Sequence, residues 1–217
     1  MDFNFKNRDK INFLFSKRIS SLSNLNENVF LLNQKHTDEI YVIKEKKDTD
    51  IKPIADSVIT NIKGIAIGVK TADCVPSLIF DTQKLVVAAV HSGWRGSAKK
   101  ILIKTIEKMK EIYDSNLNDI VFMLGPSICG NCYNVGEDVI SEFKKILSYD
   151  FYTKKENRYY VDLREINKNL LIENGIKKNN IFIHPDCTYC KNNEYQSYRY
   201  HKNTINFQIS YIKLLWE

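Results

Sequence analysis

The chain has 217 residues and a formal net charge of +6, and 43% of its residues are hydrophobic and 27% charged. These proportions are ordinary for a globular protein and exclude a disordered or fibrous chain. A chain of this length fits one domain, and no linker, repeat or low-complexity block divides it, so we predict a single domain over residues 1–217. Because the lysines are spread along the sequence, the positive charge indicates a solvated surface and no nucleic-acid partner.

The compartment follows from the apolar segments and the cysteines. The first seventeen residues carry charges between their apolar positions, unlike a signal peptide. The longest aliphatic run, residues 85–90, is far shorter than the roughly 20 residues of a membrane helix. Five cysteines without a secretory signal predict reduced thiols. We therefore expect a soluble, cytoplasmic protein with no membrane partner, and the oligomeric state stays open.

Strand-length runs rich in Val and Ile fill the first half of the chain: residues 29–33, 40–43, 57–60, 65–69, 77–80 and 85–90. A helical period begins near Ser97 and reaches Tyr113, with a strand at 120–124 after it. A second helical face covers residues 139–147, and a third helix starts at Asp162 and stops before Gly175, followed by a strand at 181–184. Strands first and helices interspersed later predict an α+β domain with a mixed sheet.

Two motifs at the ends of strands carry candidate chemistry. Cys74 lies in Thr71-Ala72-Asp73-Cys74-Val75-Pro76, between two strand runs, where a single cysteine is more often an inert buried thiol. His91 follows the strand 85–90 in His91-Ser92-Gly93-Trp94-Arg95-Gly96. Its glycines permit close backbone approach, and Arg95 before a helix suits an anion or a metal-bound substrate. The alternative is that this motif only shapes a tight turn from strand to helix.

A third residue of ligand type, His36, also stands just beyond a predicted strand. Two imidazoles and one thiolate, from His36, His91 and Cys74, are what a zinc site with an open fourth position requires. Asp73, next to the cysteine, is a candidate general acid or base, or a residue that orients the ligand. Capping of the following turn is an equally good role for it.

Further motifs accompany these, in chain order: Gln34-Lys35-His36, Ala55-Asp56-Ser57-Val58-Ile59-Thr60, Gly125-Pro126-Ser127-Ile128, Cys132-Tyr133-Asn134-Val135-Gly136, Cys187-Thr188-Tyr189-Cys190 and Ser197-Tyr198-Arg199. Together the motifs resemble the YfiH-like family, also called the multicopper polyphenol oxidase or laccase-domain family, which includes purine nucleoside phosphorylases of the FAMIN type. The resemblance spans nearly the whole chain. This chain departs from the usual pattern at Thr37, at Tyr200 with His201, and at Asn131, which precedes Cys132 where many members have a second cysteine.

The resemblance implies a layered mixed-sheet sandwich like the catalytic domain of the cytotoxic necrotizing factors. It implies zinc held by His36, Cys74 and His91, with Arg95 in the same pocket. It also implies phosphorolysis of adenosine, inosine, guanosine and methylthioadenosine to the free base and ribose 1-phosphate, with adenosine deamination as an additional activity. The expected partners are therefore purine nucleosides and phosphate.

Three other functions remain open from the sequence. The first is a peptidoglycan-editing amidase that acts on muramoyl precursors, with Cys74 as nucleophile and His91 as base. The second is a copper-dependent polyphenol oxidase, for which copper is the less favoured metal because four histidines are too few for a multicopper centre. The third is a metal-binding module without enzymatic activity.

The remaining four cysteines form two Cys-x-x-Cys pairs, Cys129 with Cys132 and Cys187 with Cys190. Each pair has the spacing of half a Cys₄ zinc site. The 54 residues between the pairs make that site a weaker hypothesis than a zinc ribbon. We expect these cysteines to be isolated thiols packed near the pocket.

Overall fold

The computed structural model describes residues 4–216. Its strands are β1 Ile11–Phe15, β2 Val29–Leu31, β3 Ile40–Ile43, β4 Ser57–Thr60, β5 Ala66–Thr71, β6 Val75–Asp81, β7 Val86–Ser92, β8 Ile120–Leu124, β9 Asn134–Val135, β10 Tyr152–Lys155, β11 Arg158–Val161, β12 Ile181–Ile183 and β13 Gln208–Leu214. Its α-helices are α1 Trp94–Ala98, α2 Ile101–Tyr113, α3 Glu137–Lys144, α4 Leu163–Glu173 and α5 Tyr198–His201. Short 3₁₀ turns cover Arg8–Lys10, Leu22–Asn24, Lys46–Asp50, Leu117–Asp119 and Lys178–Asn180.

A six-stranded mixed sheet, in the order β12-β8-β6-β7-β4-β3, forms the middle layer. On β7, Val86, Ala88 and Val90 pack into a core shared with α2 and α4. The alternate residues Val87 and Ala89 pack into a second core shared with β5 and β13 of a four-stranded sheet, ordered β1-β13-β5-β2. Because successive side chains of a strand point to opposite faces, a strand covered on both faces reads as the continuous aliphatic run found here.

The predicted α+β class with mixed, layered sheets is confirmed: the pairs β3 with β4, β2 with β5 and β8 with β12 are parallel, and the other pairs of the two large sheets are antiparallel. The predicted runs all correspond to strands, with ends that differ by at most two residues. The sequence reading missed β1 and β13, which pair with each other at the two ends of the chain, and the small sheet β10-β11-β9.

The predicted start of the helix at Ser97 is wrong, because helical structure begins three residues earlier and is divided into two helices. Helix α1 already begins at Trp94, and Lys100, with a left-handed φ of 58°, separates it from α2. Arg95 therefore lies inside a short helix and not before one. The predicted cap at Asp162 is confirmed, because its carboxylate accepts the amide of Arg164 at 2.9 Å, and Gly175, with a φ of 91°, follows the end of α4. Over residues 4–216, none of the helices combines the length and apolarity needed to cross a membrane.

Candidate functional site

The register of the six-stranded sheet brings distant motifs to one end of the molecule. In the antiparallel pair β6 and β7, Val75 faces Ser92, so Cys74 before β6 meets His91 at the end of β7. Strand β4 continues the arrangement, since Ser57 faces Val90 and the amide of His91 donates to the carbonyl of Asp56 at 2.8 Å. The loop that carries His36 precedes β3, which runs parallel to β4 and starts at the same end.

His36, Cys74 and His91 form a group whose ligand atoms all lie within 4.8 Å of one another. The Cys74 Sγ is 4.0 Å from His36 Nε2, and the two imidazole rings meet edge to face with centroids 4.8 Å apart. His91 is 4% exposed, Cys74 is half-buried and His36 is exposed. The group is therefore fixed at its base and open on one side, as a site that binds both an ion and a substrate must be.

Asp56, fully buried at the start of β4, organises this group. One carboxylate oxygen accepts His91 Nδ1 at 2.7 Å and the amide of His36 at 3.1 Å. The other accepts the amides of Lys35 and Thr37 and the Thr37 hydroxyl, at 3.2, 2.6 and 2.8 Å. An ionised carboxylate only accepts hydrogen bonds, so His91 carries a proton on Nδ1, and Nε2 is the nitrogen that can bind an ion once its own proton has left.

The charges of the group stabilise one another. Burial raises the pKa of the Cys74 thiol. The positive charge of His91 and hydrogen bonds from both histidines outweigh this effect and lower the pKa to about 6. Burial lowers the pKa of His91, whereas the Cys74 thiolate and Asp56 raise it to about 9. Burial also works against ionisation of Asp56, yet the hydrogen bonds from His91 and Thr37 hold its pKa below the ordinary value. Thiolate and carboxylate are therefore the favoured forms at neutral pH.

Backbone geometry makes room for the three ligand side chains. A Cβ atom on Gly93 would come within 3.0 Å of Cys74 Sγ and 3.1 Å of His36 Cδ2. His36 itself has a left-handed φ of 57°, held by the hydrogen bonds of its loop to Asp56. A glycine at position 93 is thus required by the close approach of the two ligands.

Asp73 lies beside Cys74 but its carboxylate is engaged elsewhere. It is 8% exposed, and it accepts the hydroxyls of Thr188 and Ser197 at 2.6 and 3.0 Å and the amide of Arg199 at 2.7 Å. Its φ of 92° is rare for a residue with a side chain. These contacts connect the loop of Cys74 to the segment before α5, which favours a positioning role; a proton-transfer role stays a prediction.

Arg95 is exposed and lines a cavity next to the one that contains the three ligands. Its guanidinium stacks over the Trp94 ring, 4.2 Å from the centroid. Arg199 lies over Tyr133 at 5.1 Å and donates to Asn134 Oδ1 and the Asn134 carbonyl, both at 2.7 Å. The resemblance implied one pocket for Arg95 and the ligands, and the structure gives two adjoining ones, which we call the cationic pocket and the ligand cavity.

The cationic pocket contains Arg95, Arg158, Arg199 and Lys202, against the single carboxylate of Asp138 in its lining. The ligand cavity, of about 810 Å³, contains His36, Cys74 and His91, and its lining combines apolar side chains such as Leu31, Tyr198 and Phe207 with polar ones that include Lys52 and Lys70. Tyr198 and Arg199, adjacent in α5, line the ligand cavity and the cationic pocket respectively. An anion and an apolar ring can therefore bind side by side.

The sequence reading assigned no role to Asp56, Tyr133 or Arg199. All three lie in motifs that carry the family resemblance, and membership of these motifs was the sequence feature that could have identified them. Tyr133 is under the electrostatic influence of both Cys74 and Arg199, and burial, the main cause, raises its pKa. The phenol therefore stays neutral and can donate a hydrogen bond in the cationic pocket, which it lines.

The expectation of isolated thiols is wrong for the other four cysteines. Cys129, Cys132, Cys187 and Cys190 form a second group whose sulfurs lie within 4.8 Å of one another. The pairs are far apart in sequence, but they follow β8 and β12, which are parallel neighbours, so their loops meet at the same end of the sheet.

Comparison with known proteins agrees with this architecture. A protein from Aquifex aeolicus named purine nucleoside phosphorylase is 38% identical over 173 residues, which cover 80% of this chain and 77% of that one. The protein named adenosine deaminase RL5, from an unknown prokaryotic organism, is 34% identical over 137 residues, covering 60% and 52%. For five of the curated relatives the matched part spans only 36–52% of the relative's own length.

The crystal structure of the Bacillus licheniformis protein YfiH superposes with a TM-score of 0.81 and 27% identity, over 88% of this chain and 77% of that one. The family model described as multi-copper polyphenol oxidoreductase laccase matches residues 9–215. The resemblance found in the motifs is thus confirmed, and the chain belongs to this laccase-like, YfiH family.

Proposed function

We propose that the protein is a zinc-dependent purine nucleoside phosphorylase that also deaminates adenosine. The observation that carries the proposal is the position of the His36, Cys74 and His91 group in a partly apolar cavity near a pocket with four cationic side chains. The names of the Aquifex aeolicus relative and of adenosine deaminase RL5 support the two reactions.

The donor set fits zinc better than it fits a multicopper centre. Two imidazoles and a thiolate, with a carboxylate behind one imidazole, match the ligands and outer partners that zinc prefers. Among residues 4–216, His184 and His201 belong to neither of the two groups of ligand type. When bound, zinc supplies Lewis acidity toward a substrate oxygen or water.

In phosphorolysis, an oxygen of phosphate forms a bond to C1′ of the ribose while the bond from C1′ to the purine nitrogen breaks. The electron pair of that bond goes to the base, which takes up a proton. Arg95 and Arg199 would hold the phosphate by charge-assisted hydrogen bonds, and their stacking on Trp94 and Tyr133 limits the rotamers they must lose on binding. The apolar lining of the ligand cavity would exclude water and hold the base and sugar.

Purified protein incubated with adenosine, inosine, guanosine and methylthioadenosine, with and without phosphate, tests the proposal. We expect free base and ribose 1-phosphate only when phosphate is present, and inosine from adenosine in both conditions. Cys74→Ala, prepared in parallel, controls for contaminating host enzymes and should be inactive in both reactions. Equal release of base without phosphate would make the enzyme a hydrolase, and turnover of muramoyl precursors alone would favour the amidase with Cys74 as nucleophile.

A further inference from the structure

We propose that Cys129, Cys132, Cys187 and Cys190 bind a second zinc ion in a structural tetrathiolate site. This site is separate from the His36, Cys74 and His91 group, and the proposal requires no assumption about the reaction.

The positions of the sulfurs are close to those that the ion demands. With zinc–sulfur bonds of about 2.3 Å, the sulfurs of a tetrahedral site are about 3.8 Å apart. All four sulfurs already lie within 4.8 Å of one another, and those of Cys132 and Cys190 are 3.4 Å apart. Shifts of about 1 Å or less, within the freedom of cysteine rotamers, would complete the coordination.

Both Cys-x-x-Cys segments are folded into tight turns that bring their two cysteines to the same side. The amide of Cys132 donates to the carbonyl of Cys129 at 2.9 Å, and the amide of Lys191 donates to the carbonyl of Cys187 at 3.0 Å. Across the two segments, the amide of Cys129 donates to Cys187 Sγ at 3.3 Å. Hydrogen bonds from amides to sulfur stabilise thiolates and are part of the outer shell of a metal site.

The fold holds the two segments together independently of the thiols. Ser127 and Cys187 form a parallel β-bridge, and the amide of Thr188 donates to the carbonyl of Ser127 at 3.1 Å. The cluster is thus the continuation of the β8 and β12 pair beyond the ends of the strands. A site already assembled in this way binds the ion with little ordering cost.

A buried cation also lies beside the cluster and would offset part of the charge of a tetrathiolate site. Four thiolates and Zn²⁺ leave a net charge of −2, which needs a cation nearby. Arg164, only 8% exposed, interacts electrostatically with Cys129 and Cys187 and also pairs with Asp162 at 3.2 Å. The four thiols thus converge within 4.8 Å of one another beside a buried guanidinium, an arrangement that a bound ion explains.

The second site is connected to the ligand cavity by two short links. Thr188, directly after Cys187, donates its hydroxyl to Asp73, the neighbour of Cys74. Tyr133, directly after Cys132, lines the cationic pocket and interacts electrostatically with Cys74. The ion would therefore hold both loops in place and position these residues without contacting a substrate.

Metal analysis of protein purified under reducing conditions tests the proposal. We expect two zinc ions per chain in the parent, and one each in Cys74→Ala and Cys190→Ser. The cobalt-substituted Cys74→Ala protein should show the intense charge-transfer bands of four thiolates, which the matched Cys190→Ser protein should lack. These bands are expected even if the protein is not a nucleoside phosphorylase, so the two proposals can fail separately.

Three results would overturn the proposal. The first is a parent with no zinc, and the second is a Cys74→Ala protein whose cobalt-treated form lacks thiolate bands. The third is a disulfide between Cys132 and Cys190, seen as a loss of two hydrogens in the intact mass of the reduced preparation. The first and third need only the parent protein, so they hold even where a variant fails to fold.

Discussion

Replacing Asp56 by Asn tests how the ligand group is organised, because the change keeps the size of the side chain and removes its charge. The carboxylate accepts five hydrogen bonds, two on one oxygen and three on the other. An amide can keep only the three on its oxygen, so its NH₂ group faces the amide of His36 and Nδ1 of His91. Two hydrogen bonds to a charged acceptor, at about 1.5–3 kcal/mol each, correspond to a loss of about 3–6 kcal/mol in the free energy of unfolding.

The same change reverses the tautomer of His91. With an NH₂ group opposite Nδ1, the neutral imidazole carries its proton on Nε2, which must then be lost before a metal binds. We expect zinc affinity to fall about 10–100-fold, the usual effect of losing such an outer partner. Urea unfolding gives the stability, and competition with a chromophoric chelator gives the affinity.

Asp48→Asn is the matched control, because Asp48 also accepts two backbone amides, those of Lys44 and Glu45, but contacts no ligand residue. It should keep its zinc and unfold near the parent's midpoint. If Asp56→Asn binds zinc as tightly as the parent and loses less than about 3 kcal/mol, the lower limit for two such bonds, the role assigned to this carboxylate is wrong.

Three further predictions concern single residues. Gly93→Ala should lose most of the zinc in the His36 and Cys74 group while the chain still folds, because the new Cβ comes too close to both side chains. Gly96→Ala should keep its zinc. Metal analysis measures the zinc in each variant, and circular dichroism shows whether the variant is folded. Arg95→Lys should raise the apparent KM for phosphate about tenfold, equivalent to about 1.4 kcal/mol for a lost bidentate contact, and leave deamination nearly unchanged; equal losses in both reactions would mean that Arg95 only shapes the pocket. Burial raises the pKa of Asp186, but hydrogen bonds from Lys191 and Tyr195 lower it to about 2, below its unfolded value, so its contribution of about 1–2 kcal/mol is present above pH 4 and disappears between pH 4 and 2. Asp186→Asn should flatten the acid limb of the stability curve over that interval, and an unchanged limb would contradict the assignment.

The sequence by itself determined the central strands, because a strand buried on both faces must be a continuous aliphatic run, as residues 85–90 are. It also singled out His36, Cys74 and His91, which are rare residue types at the ends of such runs, and the structure brings these three together; their role as metal ligands stays a prediction. The terminal strands β1 and β13 escaped detection because each is short and finds its partner at the opposite end of the chain.

Only the tertiary structure decided how these residues act together. The register of β4 against β7 places Asp56 behind His91, a contact between residues far apart in sequence that no local pattern encodes. The separation of Arg95 from the ligand cavity depends on where α1 begins, and the meeting of Cys132 with Cys190 depends on the parallel pairing of β8 and β12. Periodicity and motif spacing report which residues a strand or loop contains, whereas strand order and register fix which loops share one end of a sheet.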